Sequence, residues 1–283
     1  MRNLFSLREV IIFALICLVV CIIFSCNPAQ SNKPSDETFT ESETVNVEKA
    51  NEMLGQLPSP IEMAVLIKEA GAKFNGDLPN SVQQLNKYET TGKKALNLGI
   101  YSADVGYTTL FKQTQQTMFY LKCTQKLSNE IGLSGAFAPS VYDRVEDNIE
   151  HRDSLVAIIS EAYQTANAYL KNNDRVNISV LMVGGAWVEC MYLATKLSNE
   201  FPNKEIVSVI AGQQQTLHKL IKVMGAYSAD KDINTLLKTM KELELLYHNK
   251  TEITKESKDV QMNEEQFNLL AAKIAAIRSE LIS

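Results

Sequence analysis

Several residue types and patterns that carry chemistry are scarce or absent in this 283-residue chain. Histidine occurs three times and tryptophan once, and the HExxH, P-loop, GxGxxG and GxSxG patterns do not occur. A helical di-iron bundle needs a glutamate three residues before a histidine. The residues at that offset from the three histidines are Asn148, Gln215 and Leu245. We therefore predict no metal, no cofactor and no catalytic residue that a motif identifies.

One metal alternative remains in the acidic stretch from Asp143 to Asp153. Asp147 and His151 are four residues apart, a spacing that places both on one face of a helix, where they could hold a divalent ion. Arg144 and Arg152 are interleaved with the acidic residues. Interleaved charges of both signs are typical of a solvated helix face, which is the interpretation we favour.

Strong net charge and β-type patterns are also lacking. The net charge is −5, with no basic run and no interleaving of basic and aromatic residues, so nucleic acid is not an expected partner. Proline occurs 7 times and glycine 12 times, and no segment alternates apolar and polar residues convincingly. This composition favours helices over a sandwich or a barrel.

The N-terminal segment has the pattern of a lipoprotein signal. Arg2 and Arg8 precede an uncharged apolar run, Val10 to Phe24, that is shorter than the roughly 20 residues of a membrane-spanning helix. The run ends at Ser25-Cys26, which resembles a lipobox. We predict that residues 1–25 are a cleaved signal peptide and that Cys26 carries acyl chains such as palmitate. The alternative is an uncleaved N-terminal anchor helix, and both place the domain outside the cytoplasm on a membrane tether.

Residues 26–56 are predicted to form a disordered linker. They are rich in Ser, Thr, Asn, Glu and Pro, and Phe39 is their only aromatic residue, so they bury too little surface to offset the entropy of ordering. Asn27 follows the cysteine in place of the aspartate that commonly retains lipoproteins at the inner membrane. We therefore expect an outer-membrane location, on the periplasmic side or at the cell surface. The acidic Ser35-Asp36-Glu37 resembles surface-export tethers, but a solvated linker explains it equally well.

Residues 57–283 are predicted to form one all-α domain, a single bundle of about eight or nine helices. Ser59-Pro60-Ile61-Glu62 is a capping-box start signal, and apolar residues recur with a period near 3.6 through the rest of the domain. The predicted helical segments are 60–70, 80–88, 93–131, 140–149, 153–171, 175–200, 203–224, 232–247 and 263–281. Short connections favour antiparallel packing of neighbours.

The segment from Arg175 to Glu200 is expected to lie at the centre of the bundle. Between Arg175 and Lys196 its only charged residue is Glu189, and apolar residues occur on every side at helical spacing. A helix that is apolar all round is buried, either in a large core or in a membrane. We predict that this helix is buried in the core.

Glycines in predicted helix interiors require an explanation, since each costs about 1 kcal/mol relative to alanine. Small residues recur every three or four positions at Gly92, Ala95, Gly99, Ala103 and Gly106, and a pair, Gly184-Gly185, lies within the central helix. A close helix crossing, a kink or a ligand cavity would each compensate for this cost. We expect a close crossing.

Two cysteines lie within the predicted domain, Cys123 and Cys190. The oxidising periplasm permits a disulfide between them. Both have apolar neighbours in predicted helices, and we expect buried free thiols.

Polar residues next to these glycines form a candidate site in the core. Tyr101, Asp104 and Thr108 share one helix face, and Tyr107 lies beside that face. Glu189 is the only charge in the middle of its helix. A buried carboxylate needs hydrogen bonds or a cation. The candidate donors are the tyrosine hydroxyls, the indole N–H of Trp187, and the side chains of Lys93, Lys94 and Lys112.

Two interpretations of this site stay open. In the functional one, Tyr101, Tyr107 and Trp187 wall a pocket in which Asp104 and Glu189 orient a ligand. In the structural one, the same side chains form an internal polar network that fixes the register of the helices.

Two segments carry a resemblance. LGIYSADVGY at residues 98–107 and GGAWVECMYLAT at residues 184–195 look like the signature segments of a family of uncharacterised helical lipoproteins from Gram-negative bacteria. The similarity runs from about Leu57 to Tyr247. The resemblance implies a lipidated, all-helical envelope protein and no particular reaction.

We therefore expect a non-enzymatic binding or scaffold lipoprotein of the cell envelope, held at the membrane by its lipid and meeting a small-molecule or protein partner there. The alternative is a hydrolase-like envelope enzyme that uses Asp104 and Glu189, since a catalytic carboxylate needs a second acid or a base nearby. A closed core around Glu189 would favour the scaffold. An open pocket with two convergent carboxylates would favour the enzyme.

Overall fold

Eleven α-helices make up most of the chain that the structure describes. The computed structural model describes residues 45–134, 139–149, 151–200, 203–248 and 262–283. The predicted signal peptide and Cys26 lie outside these residues. The helices are α1 Val47–Gly55, α2 Pro60–Glu69, α3 Thr91–Leu110, α4 Thr114–Glu130, α5 Pro139–Asp147, α6 Arg152–Asn172, α7 Val176–Glu200, α8 Lys204–Gly212, α9 Gln214–Ala226, α10 Lys231–His248 and α11 Glu264–Leu281, with a 3₁₀ helix, Val82–Lys87, between α2 and α3.

The predicted all-α class is confirmed, because these described ranges contain no strand. The predicted number of eight or nine helices is too low. The segment 93–131 is two helices, because Lys112 adopts a left-handed backbone conformation (φ 58°) that a right-handed helix cannot continue. The segment 203–224 likewise divides into α8 and α9 at Gln213. The segment predicted at 80–88 is the 3₁₀ helix, and Ser81 caps it in place of Asn80.

The predicted linker does not extend to residue 56, because helix α1 occupies Val47–Gly55. Asn46 caps this helix by accepting a hydrogen bond from the Lys49 backbone N–H at 2.9 Å. Ala50 and Leu54 lie one helical turn apart and are both buried, and α1 packs against α9. The folded domain therefore begins before Leu57, because a short apolar stripe in an otherwise polar segment is enough to attach one further helix.

Helix α7 is the centre of the bundle. It packs against α2, α3, α6, α8, α9, α10 and α11, and its interface with α3 is the largest between two described helices. The span Val176–Ser198 is long and apolar enough to cross a membrane, but 94% of its most apolar stretch is buried inside the domain. Burial in the core accounts for this composition, as the all-round apolar pattern predicts.

Two glycines permit the close crossing of α3 and α7. A β-carbon on Gly99 would lie 2.0 Å from the Met182 carbonyl oxygen, and one on Gly185 would lie 2.1 Å from the Leu96 carbonyl oxygen. Each glycine therefore lies directly against the backbone of the other helix, where no side chain fits. The expected close crossing is confirmed at these two positions, and it places the polar residues of α3 beside those of α7.

Candidate functional site

A buried ion pair joins the central helix to the last helix. Glu189 of α7 is fully buried, and Arg278 of α11 is 9% exposed. The Arg278 Nε donates to Glu189 Oε2 at 2.9 Å, and its Nη2 donates to Glu189 Oε1 at 3.0 Å. The same Nη2 also donates to the Leu78 carbonyl oxygen at 3.3 Å, and the guanidinium lies 4.3 Å above the Tyr192 ring. This two-bond geometry is the strong form of an arginine–carboxylate pair.

Asp104 of α3 adds a second, fully buried carboxyl group to this pair. Its Oδ2 accepts a hydrogen bond from the Asn80 backbone N–H at 3.1 Å. Its carboxyl group also hydrogen-bonds the Glu189 carboxyl group. Two carboxylates can share a hydrogen bond only if one of them carries a proton, so this cluster holds a carboxylic acid, a carboxylate and a guanidinium.

The proton belongs on Asp104. Burial and then the charge of Glu189 raise the pKa of Asp104 well above its ordinary value. Burial also raises the pKa of Glu189, but Arg278 and the hydrogen bond from Asp104 oppose that rise. Because the guanidinium contacts Glu189 with two hydrogen bonds, the negative charge stays there. The cluster of Asp104, Glu189 and Arg278 is therefore close to neutral, which is how a buried charged group is tolerated.

A chain of hydroxyl groups extends from this cluster towards the 3₁₀ helix. The Asn80 Nδ2 donates to the Tyr88 hydroxyl at 3.0 Å, and the Tyr101 hydroxyl donates to the Ser81 carbonyl oxygen at 2.9 Å. The Tyr88 and Tyr101 hydroxyls also hydrogen-bond each other. Burial raises the pKa of both tyrosines, so both stay protonated. These bonds hold the segment before α3 against the cluster.

The structure unites some of the predicted site residues and separates others. Asp104 and Glu189 meet, and Tyr101 joins them through Tyr88 and Asn80. Tyr107 belongs to another cluster, where its hydroxyl bonds the backbone of Asn75 and its ring stacks on Phe74. The prediction that Tyr101, Tyr107 and Trp187 wall one pocket is therefore wrong, because the three side chains lie in different clusters.

Trp187 lies on the other side of α7, against α2 and α9. It lines a cavity of about 10 Å³ together with Pro60, Met63, Cys190 and Leu220. Its indole N–H is buried and has no hydrogen-bond partner among the described residues. This tryptophan therefore does not serve Glu189 as a donor.

The predicted lysine donors are also wrong, and Arg278 takes their place. Lys93 donates to the Ser283 carbonyl oxygen at 3.1 Å, and Lys94 pairs with Glu130 at 2.9 Å. Lys112 occupies the turn between α3 and α4. The sequence did hold a signal for Arg278, since it falls on the apolar stripe of α11 with Leu270 and Ile274, where a cation is out of place unless it is paired.

Neither thiol forms a disulfide, as expected. Cys123 and Cys190 are both free and buried.

Thr108, the remaining member of the predicted face, donates to the Asp104 carbonyl oxygen at 2.8 Å and accepts from the Thr117 hydroxyl at 3.0 Å. Within the described ranges, no group of three or more His, Cys, Asp or Glu side chains could hold a metal ion.

The chemistry open to this cluster is limited by its closure. A protonated acid beside a carboxylate is an arrangement that can transfer protons in an active site. Asp104 and Glu189, however, have no exposed surface, and Glu189 is already engaged by Arg278 and Asp104. A substrate in contact with either carboxyl group would have to displace a neighbouring helix. The geometry therefore fits a cross-link between α3, α7 and α11.

Comparisons of the chain with protein-family models, with curated proteins and with solved structures found no match. The resemblance of residues 98–107 and 184–195 to a lipoprotein family stays a prediction, and the function is argued from the geometry of the buried cluster.

Proposed function

We propose that this protein is a non-enzymatic binding or scaffold lipoprotein of the cell envelope, in which Asp104, Glu189 and Arg278 fix the register of the helices. The observation that carries the non-enzymatic part is the full burial of both carboxyl groups together with the pairing of Glu189 by Arg278. The envelope part rests on the sequence, through the apolar run that ends at Cys26 and the polar segment that follows.

A register network suits a bundle whose core is otherwise apolar. Apolar side chains pack in many nearly equivalent ways, whereas a two-bond ion pair is satisfied at one relative position of two helices. Arg278 reaches Glu189 on α7, the Leu78 carbonyl oxygen before α3, and the ring of Tyr192. A shift of α11 by one turn would leave Glu189 buried without its cation, which is strongly unfavourable.

The alternative, a hydrolase-like enzyme using Asp104 and Glu189, draws support from the contact between the two carboxyl groups. We rank it lower because a general acid or base has to reach its substrate within hydrogen-bonding distance. Neither carboxyl group has accessible surface in the closed bundle.

Asp104→Asn separates the two functions. Asparagine keeps the shape of the side chain, and its amide can donate to Glu189, but it cannot act as an acid or a base. The register proposal predicts that this variant folds and restores the wild-type phenotype in a strain that lacks the native gene. An enzyme would lose its activity, so a folded Asp104→Asn variant that fails to complement would overturn the proposal. Asp143→Asn, at an exposed carboxyl group, is the matched control.

The lipid anchor is tested separately at Cys26. Cys26→Ala removes the proposed acylation site, and we expect loss of radiolabelled palmitate incorporation and release of the processed protein from the membrane fraction. Cys17→Ala, within the apolar run, should retain both. Continued membrane association of Cys26→Ala without acylation would favour the uncleaved anchor helix.

A further inference from the structure

A second cavity lies away from the buried cluster, where α3, α4, α5 and α6 meet. Its volume is about 50 Å³. The walls are largely aliphatic and include Val105, Leu121, Val145, Ile159 and Ala162. Val145 and Ala162 are buried, whereas Ile159 is half-buried, so the cavity has a buried floor and a rim closer to solvent.

One polar group in this cavity, the hydroxyl of Tyr163, lacks a hydrogen-bond acceptor in the described part of the chain. Tyr163 lines the cavity and is 7% exposed, and no acceptor for its hydroxyl hydrogen is found within the described ranges. Burial raises the pKa of Tyr163 and a side-chain hydrogen bond with Asn167 lowers it, and because the Asn167 oxygen accepts from Ser179, the amide N–H of Asn167 is the group that contacts the Tyr163 oxygen. A buried hydroxyl hydrogen without an acceptor is costly, and a partner that fills the cavity would remove the cost.

The other lining hydroxyls are already in use. Ser102 donates to the Leu98 carbonyl oxygen at 2.7 Å, and Thr124 donates to the Leu121 carbonyl oxygen at 2.8 Å. The Tyr142 hydroxyl is engaged with the side chains of Ser128 and Thr124. Tyr163 is therefore the donor left for a ligand. None of the described residues that line the cavity is charged, so an ionised ligand would lose its hydration without compensation.

We propose that this cavity binds a small, neutral, aliphatic molecule whose single oxygen accepts a hydrogen bond from Tyr163. A cavity of about 50 Å³ has room for about three to five water-sized groups, since one water needs roughly 10–15 Å³. Water alone fits poorly, because an ordered water needs two to four polar partners and the lining hydroxyls other than Tyr163 already donate elsewhere. A short ketone satisfies both the walls and the hydroxyl. This inference does not rest on the proposed function.

The test uses 2-butanone as the probe and the full chain labelled at its valine, leucine and isoleucine methyl groups. Titration followed by NMR should give saturable shifts at the methyl groups of Val105, Val145 and Ile159. Sodium butyrate, similar in size but ionised, should give none. Shifts that do not saturate, or butyrate binding as tightly as 2-butanone, would overturn the proposal.

Two variants and one control locate the site. Tyr163→Phe removes the hydroxyl and keeps the ring, and it should weaken 2-butanone binding by about 3- to 10-fold, the value of one neutral hydrogen bond. Tyr169→Phe, on the same helix but outside the cavity lining, should bind as the wild type does. Ala162→Leu should fill the cavity and abolish binding without lowering the melting temperature. If Ala162→Leu does not fold, Tyr163→Phe decides alone, and equal affinity in Tyr163→Phe and wild type rejects the assignment.

Discussion

Arg278 donates two hydrogen bonds, of 2.9 and 3.0 Å, to the carboxylate of Glu189, and both side chains are buried. This pair ties the last helix to the central one, and Asp104 extends it to α3. Three helices that are distant in sequence thus share one polar contact. Such a contact contributes specificity more than net stability, because burying the charges costs about as much as their attraction returns.

Glu189→Gln should be strongly destabilising. The glutamine keeps the shape of the side chain but leaves the buried guanidinium of Arg278 without its counter-charge. Removing one partner of a buried ion pair costs about 3–5 kcal/mol. We expect that decrease in the free energy of unfolding measured by urea denaturation.

The exposed pair of Arg144 and Glu161 offers a matched control, since their side chains are 45% and 61% exposed. Glu161→Gln should have a far smaller effect. Replacing both buried partners in Glu189→Leu/Arg278→Met should recover much of the stability lost in the single variant, because no uncompensated charge remains. A Glu189→Gln variant as stable as the wild type would show that the pair does not hold the helices.

Asp104→Asn should change how stability depends on pH. Burial and the charge of Glu189 raise the pKa of Asp104, so the folded protein keeps a proton that the unfolded chain releases at about pH 4. Where the folded state binds more protons, stability falls as the pH rises, from the unfolded pKa up to the folded one. Asparagine does not ionise, so we expect a flatter profile and higher stability than the wild type at neutral pH.

Urea denaturation between pH 4 and pH 9 measures this difference. Glu189 also has a raised pKa, caused first by burial, so a residual slope of the same sign should remain. Asp143→Asn should reproduce the wild-type profile. Parallel profiles for Asp104→Asn and the wild type would place the proton elsewhere.

The sequence identified two members of the buried cluster but not the third. Glu189 is the only charge in the middle of an apolar helix, and Asp104 shares a face with Tyr101, so both could be expected in the core. Arg278 could not be chosen as their partner, because a helical period shows which face is buried but not which helices meet. Its place on an apolar stripe indicated burial alone.

Helix phase explains why Trp187 was wrongly assigned to the site. Each residue advances about 100° around a helix, so residues two apart point to opposite sides. Trp187 precedes Glu189 by two residues and lines the cavity beside α2.

The two helix ends that the sequence did not predict, at Lys112 and Gln213, have another cause. Lys112 carries no glycine or proline signal, and Gly212, the last residue of α8, lies within an unbroken apolar period, so continuous periodicity concealed both ends.

Cys123 and Cys190 should react slowly with thiol reagents in the folded protein. Burial raises the pKa of Cys123 to about 11, and burial also raises the pKa of Cys190. The reactive thiolate is therefore rare at pH 8, and access to both sulfurs is restricted. Iodoacetamide labelling followed by peptide mass spectrometry should modify neither cysteine in buffer and both in denaturant. Fast labelling of the native protein, or a disulfide in the unreduced denatured protein, would contradict the buried-thiol assignment.

Gly99→Ala and Gly185→Ala should each destabilise the fold more than a typical substitution. The new β-carbon would lie about 2 Å from a backbone carbonyl oxygen of the facing helix, so α3 and α7 would have to move apart along their shared interface. Overpacking against a rigid neighbour costs about 1–3 kcal/mol and sometimes more. Gly225→Ala in α9 is the matched control, because a β-carbon there meets nothing within 4 Å. At that exposed position alanine should raise stability by about 0.4–1 kcal/mol. Thermal and urea unfolding of the three variants measure the contrast, and a neutral result at both Gly99 and Gly185 would mean that the two helices are not in the close contact described.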